Sequence, residues 1–335
     1  MLAFAVALGV ALAGCDSNSG GDHGNGSGGT GGGSSPADGV GPRVTQFTDS
    51  GPIMAVSGAT YSGLHITSAD GPCIQINGAT NVTIVDSEIG PCGADDTGIG
   101  VQLYQSSHVT IHHNSMHDVA SGVYATQNGD GNVVIEHNYF RNVRGPMPRG
   151  QYVQFGGMSG PGSRIRCNVG EQGPLDFPNK EDSISIFNSS GSNDSPIEIA
   201  YNKIRGGSSA SGCGIMAGDF GGAYIAIHRN NVVQTGGCGV AIAGGHDISV
   251  THNKVFSPKT PISGVGGYVW AQGNQDASTC YGNTYAENVI RWTNDAGVAN
   301  HFWDGGNCAW TGASSNLLGA SIGPEIFDEV FDACR

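Results

Sequence analysis

A chain of 335 residues can bury a sizeable core, and 57 glycines with only 13% charged residues speak against long polar-faced helices. Few leucines and many Val, Ile, Thr, Ser and Asn point instead to an all-β chain of strands joined by tight turns. A net charge of -14 argues against the basic face of a nucleic-acid binder and favours solubility without naming a partner.

Met1 to Ala13 is apolar, too short to span a membrane, and ends in Leu12-Ala13-Gly14-Cys15, so it reads as an export signal. Those last residues resemble a bacterial lipobox. The resemblance implies that residues 1–15 are a lipoprotein signal peptide and that Cys15 is the lipidated first residue of the mature chain. Asp16 resembles an inner-membrane retention signal, while the lack of any Lys or Arg before the apolar stretch departs from the usual pattern. Residues 16–40 follow as a linker, with nine Gly and five Ser between positions 17 and 35, a composition that cannot bury enough apolar surface to order itself. The expected product is exported and held at the envelope by lipid, on the periplasmic or cell-surface side. Beyond Cys15 eight cysteines remain, an even number that predicts disulfides in an exported protein.

From about residue 50 one pattern recurs: NVTIVDSEI at 81, HVTIHHNSM at 108, NVVIEHNYF at 132, IEIAYNKI at 197, IAIHRNNV at 225 and ISVTHNKV at 248. Each copy is an alternating strand that ends near an Asn. The Asn members are Asn114, Asn138, Asn202, Asn230 and Asn253, with Asn168 and Asn274 in weaker copies. A second strand lies in each interval, as in IGVQLY at 99, GVYATQ at 122, YVQFGG at 152, SISIFN at 183, GIMAGD at 214 and GVAIAG at 239. Side chains alternate with period two, so Val101 and Leu103, Val123 and Ala125, Val153 and Phe155, Ile184 and Ile186, Ile215 and Ala217, and Val240 and Ile242 should point inward. Two strands and a short third segment per repeat make three sides of a solenoid.

Over roughly residues 50–290 this pattern resembles the right-handed parallel β-helix proteins of the pectin-lyase-like superfamily. The resemblance implies a single-stranded right-handed parallel β-helix for residues 41–335, acting as a monomer on a polysaccharide. The Asn positions should stack in one column, and His113, His137 and His252 in a turn column beside it. Equivalent residues of adjacent coils lie about 4.8 Å apart, and Cys213 and Cys238 occupy one column, so they should be joined. Cys73 with Cys92 and Cys280 with Cys308 are further pairs, while Cys167 and Cys334 have no assigned partner. PEIFDEVFDACR has helical spacing and is expected to cover the end of the solenoid.

A β-helix has a filled interior, so a ligand must lie on an outer face. The second-strand face offers Gln102, Tyr104, Tyr124, Thr126, Tyr152, Gln154, Ser185, Phe187 and Met216 as outward positions, a mixture of rings and amides that suits sugars. Arg141, Arg144, Arg149, Arg164, Arg166 and Lys180 form a basic island in an acidic chain, either as solvated loop charges or as a subsite for an anionic ligand. Within it, Asn179-Lys180-Glu181-Asp182 resembles the paired-aspartate segment of the pectin-degrading glycoside hydrolases. It departs from them in lacking a second Asn-Thr-Asp, a Gly-His-Gly and an Arg-Ile-Lys, with only a partial echo at Gly245-His246-Asp247.

The leading expectation is a lyase that cleaves a uronate-containing polysaccharide by β-elimination. Lys180 or Arg149 would abstract the proton or neutralise the carboxylate, and Glu181 with Asp182 would position it or bind calcium. Tyr104, Tyr124, Gln154, Arg144, Phe187, Asp219 and His246 would touch the sugar. Asp219 is placed about six residues along the strand from Asp182, roughly 20 Å, which keeps the two out of one catalytic pair. A glycoside hydrolase and a non-catalytic glycan-binding or envelope solenoid are the alternatives.

Overall fold

The computed structural model describes residues 39–172, 180–207, 209–273 and 275–335; the expected leader with Cys15, nearly all of the expected linker, Asn179 and Asn274 lie outside them. Alternation sets the strands. Val101, Leu103, Val123, Ala125, Val153, Phe155, Ile184, Ile186, Ile215, Ala217, Val240 and Ile242 are all buried in one continuous core. Each strand pairs in parallel with its counterpart one coil away. Val101–Tyr104, Val123–Thr126, Val153–Gly156, Ile184–Ser190, Cys213–His228, Cys238–Ile242 and Val265–Val269 form one face in that order. The strands that precede the Asn positions form a second face, among them Ser107–His112, Val133–Glu136, Arg164–Arg166, Ile197–Ala200 and His246–Thr251. These two faces belong to one nineteen-stranded sheet because Cys213–His228 runs unbroken round the corner between them. The third face is an eleven-stranded sheet that includes Ser115–Val119, Tyr139–Val143, Lys203–Arg205 and Lys254–Ser257.

The corner between the second and third faces is made by two stacked columns. His113, His137 and His252 have φ of 54°, 56° and 58°, a left-handed turn that His tolerates better than β-branched residues. Each is followed by a buried Asn, and the Asn side chains form a ladder. The Nδ2 of Asn114, Asn138, Asn168, Asn202, Asn230, Asn253 and Asn288 each donates to the Oδ1 of the next member, at 2.9–3.1 Å, ending on Asn316. The ladder therefore continues through Asn288 and Asn316 rather than through the segment VWAQGNQ. Val265–Val269 pairs instead with Cys238–Ile242 on the first face. An Asn after an apolar run is not enough to join the column; what defines it is the left-handed residue before the Asn, here Glu287 with φ of 58°.

Four disulfides join the eight cysteines, the chemistry of an oxidising compartment. Cys73–Cys92, Cys213–Cys238 and Cys280–Cys308 are as expected, and Cys167 pairs with Cys334. That last bond fixes the C-terminal tail, which forms two short 3-10 turns, Pro324–Asp328 and Asp332–Cys334. Rather than closing an end of the solenoid, the tail lies across middle strands of the third face. Glu329 accepts hydrogen bonds from Lys254 Nζ at 2.6 and 2.7 Å, and Asn231 Nδ2 donates to the Ile326 carbonyl. Val40 is buried beside Val169 and Phe256 on the same face as the tail, and the first strand of the solenoid is Thr48–Ser50. No helix among the described residues is long and apolar enough to cross a membrane.

Candidate active site

The first face carries a cleft of about 380 Å³ where the coils of Asp182, Cys213, Cys238 and Tyr268 meet. Glu181, Asp182, Asp219, Met216, Tyr268 and Gln272 line it, and the Cys213–Cys238 disulfide forms part of its wall. Backbone bonds seat the acidic pair: Glu181 N–H donates to the Arg149 carbonyl at 3.0 Å, and Ser183 N–H to the Cys213 carbonyl at 2.8 Å. Asp182, only 4% exposed, accepts from Cys213 N–H at 2.8 Å and from the Ser185 hydroxyl. Burial nevertheless dominates and pushes its carboxyl up to about 7, with the charges of Glu181 and Asp219 adding to the rise.

Glu181 is also raised, first by burial and then by Asp219. Asp219 is raised by burial, opposed by the hydrogen bond it accepts from Gln272 Nε2 at 2.9 Å. Gln272 Oε1 in turn accepts from the Tyr268 hydroxyl at 3.1 Å, so a Tyr268–Gln272–Asp219 chain holds the third carboxylate. Burial, together with Asp182 and Asp219, raises Tyr268 and keeps its phenol protonated. The expectation that Asp219 lies about 20 Å from Asp182 is thus overturned. Between Ile186 and Phe187 the pairing with Cys213–His228 shifts by one residue, a bulge at Gly218 with φ of 80°. A bulge re-aims the residue that follows it, and Asp219 lines the same cleft as Asp182.

Lys180, expected on the outer face, is 1% exposed and points into the solenoid. Its Nζ donates to Ser183 Oγ at 3.0 Å and lies 4.7 Å from the Tyr152 ring, and burial lowers its pKa to about 8. Gly150 makes the room, because a Cβ there would stand 2.6 Å from Lys180 Cγ. Tyr152, expected outside, is 2% exposed against Phe140. Tyr152 stands one residue before the strand Val153–Gly156, in the corner, where the chain turns and alternation no longer holds. Lys180→Ala should therefore destabilise the fold by about 2–4 kcal/mol by opening a cavity, and Lys180→Met by much less, since it keeps the apolar stem. Equal urea-unfolding midpoints for the two variants would contradict this account.

Arg144, Arg164 and Arg166 of the basic island are held in structural contacts. Arg144 donates to the carbonyls of Cys92, Gly93, Ala94 and Asp95, stapling that loop rather than facing a sugar. Arg164 bonds Glu136 at 2.6 Å, and Arg166 lies 3.6 Å from Glu198, so the subsite for an anionic ligand is not assembled from them. Arg149 remains on the first face, its guanidinium 4.1 Å above the ring of half-buried Tyr124. Gln154 and Ser185 follow Tyr124 in register toward the cleft, and Tyr104 is exposed beside that row. Phe187 packs against Phe220 with ring centroids 5.0 Å apart. His246 lies on the second face, stacked on Tyr281 and bonded to Asp247, outside the cleft.

Calcium fits this donor set poorly, because Asp182 is buried and already accepts a backbone N–H. Among the described residues no group of three or more His, Cys, Asp or Glu is arranged to hold a metal ion. Sequence reasoning missed Tyr268, Gln272, Trp270 and Trp303. The alternation in Gly267-Tyr268-Val269-Trp270 would have found two of them had that strand been assigned to the first face.

The family described as the right handed beta helix region matches residues 45–160. Together with the coil register, this makes the chain a right-handed parallel β-helix protein. No curated protein matches it in sequence. Among solved structures, the A-module of the mannuronan C-5 epimerase AlgE6 of Azotobacter vinelandii is similar at 12% identity, over 82% of this chain and 88% of that one, with a TM-score of 0.30.

Proposed function

We propose that this protein is a glycoside hydrolase whose polysaccharide substrate lies along the first face and is cut by carboxylate acid–base catalysis. The observation that carries the reading is a buried Asp182, protonated up to about pH 7, in one cleft with Glu181 and Asp219. Asp182 donates its proton to the glycosidic oxygen. Asp219, whose charged form Gln272 favours, takes a proton from the attacking water, and Glu181 stabilises positive charge developing on the sugar. β-Elimination by Lys180 loses its premise, because a cation pointing into the core cannot reach a substrate on the surface. Export and lipid attachment at Cys15 remain part of the proposal, supported by the leader pattern and the disulfides.

The test is to incubate the full chain with neutral and uronate-containing polysaccharides. New reducing ends without an unsaturated chromophore are expected; a chromophoric product means a lyase, and retention without cleavage means a binding module. Activity should fall as pH rises through about 7, where Asp182 loses its proton. Stability should follow the same group. Its folded pKa lies above the ordinary 3.8, so its contribution is full below about pH 4 and is lost as pH rises through about 7. A melting temperature that rises across that window, or falls equally in Asp182→Asn, would count against the assignment.

A further inference from the structure

We infer that Trp270 and Trp303, packed beside the buried Tyr268, extend the cleft as a stacking platform for uncharged sugar rings, so that the substrate is a neutral glycan longer than a disaccharide. This rests on the cleft being a glycan-cleaving site, and it names that site's substrate class. Tyr268 lines the cleft, and Trp303 is its register partner one coil on, with ring centroids 6.1 Å apart. Trp270, just past the end of the strand Val265–Val269, lies with its ring centroid 5.4 Å from that of Trp303. Its seat is made by Gly305, where a Cβ would stand 2.3 Å from the indole.

Neighbouring aromatics at this end of the chain behave differently. Phe302 and Trp310 pack inward on the buried Tyr285, whereas Trp303 remains 45% exposed on the side that continues the cleft. A pyranose offers an apolar C–H face to an indole and hydroxyl edges to Gln272 and the acids beside it.

Charge sets the class of sugar. Asp219 already raises the proton affinity of both Glu181 and Asp182, and Glu181 raises that of Asp182, in a partly desolvated cleft. A uronate there would add a further negative charge at close range, which is costly where the effective dielectric is low. Length follows from the register. Tyr124, Gln154, Ser185, Met216, Ala241, Tyr268 and Trp303 form one column in register, of which Ser185, Met216, Ala241 and Tyr268 are buried and Tyr124, Gln154 and Trp303 reach the surface at its two ends. Its six inter-strand steps span about 29 Å, the reach of an extended oligosaccharide.

The test uses the full chain carrying Asp182→Asn, with Glu181→Gln as an alternative background should the first fail to fold. Isothermal titration with cellohexaose, xylohexaose, mannohexaose and hexagalacturonate then reads binding apart from cleavage. At least one neutral hexasaccharide should bind at least about tenfold more tightly than hexagalacturonate. Adding Trp303→Ala should weaken that binding about tenfold, and Trp303→Phe should restore much of it. The inference is overturned if no neutral probe binds, if hexagalacturonate binds best, or if Trp303→Ala changes nothing. Cleavage by the parent that does not depend on Trp303 would overturn the platform alone and leave the carboxylate assignment standing.

Discussion

Asp182→Asn should lower kcat by about a thousandfold while leaving the fold in place, because an amide keeps the shape of the carboxylic acid but has no proton to give to a leaving oxygen. The amide oxygen can still accept the Cys213 N–H, so the coil that carries it remains anchored. The loss should be present at every pH below about 7, where the parent acid is protonated, and the descending limb of the pH profile should vanish with it. Asp219→Asn should also impair turnover, yet retain the limb set by Asp182. Steady-state rates of reducing-end release from pH 4 to 9 read all of this. Should the Asp182→Asn protein, shown folded by circular dichroism, keep more than about a tenth of the parental rate, the acid must be sought elsewhere.

The second large effect concerns the ladder. Asn202 donates to the Ile165 carbonyl and to Asn230 Oδ1, and its own Oδ1 accepts both the backbone N–H and the side-chain N–H of Asn168. Asn202→Ala deletes four hydrogen bonds at a site with no exposure and leaves buried donors of Asn168 and the Ile165 carbonyl with a lost partner. An unsatisfied buried polar group costs about 1–3 kcal/mol, so a combined loss of about 3–5 kcal/mol is expected. Asn316 terminates the same ladder and is half-buried, so water can replace much of what Asn316→Ala removes. Thermal unfolding of the two variants should therefore show a much larger drop for Asn202. Equal drops would mean that the ladder is tied together no more tightly in its middle than at its edge.

The sequence by itself determined the solenoid. Period-two alternation allows only one face of each strand into the core, and the recurrence of His or another turn-former before a buried Asn marks each corner, so coil, register and the Cys213–Cys238 pair follow from local rules repeated along the chain. It also singled out Glu181 and Asp182, the densest acidic pair beside a first-face strand. What only the tertiary structure decided are features that arise where the local rule breaks. Lys180 turns inward because Gly150, thirty residues earlier, leaves room beneath it. Asp219 joins Asp182 because a one-residue bulge re-aims its strand, and no period detects an inserted residue in advance. Most of the basic island dissolves into ion pairs and carbonyl contacts because its partners sit on other coils, 28 residues away in sequence for Arg164 and 49–52 for Arg144. A solenoid writes its core in the sequence because each coil repeats the same constraint; its active face depends on the bulges, corners and loops that each coil has only once.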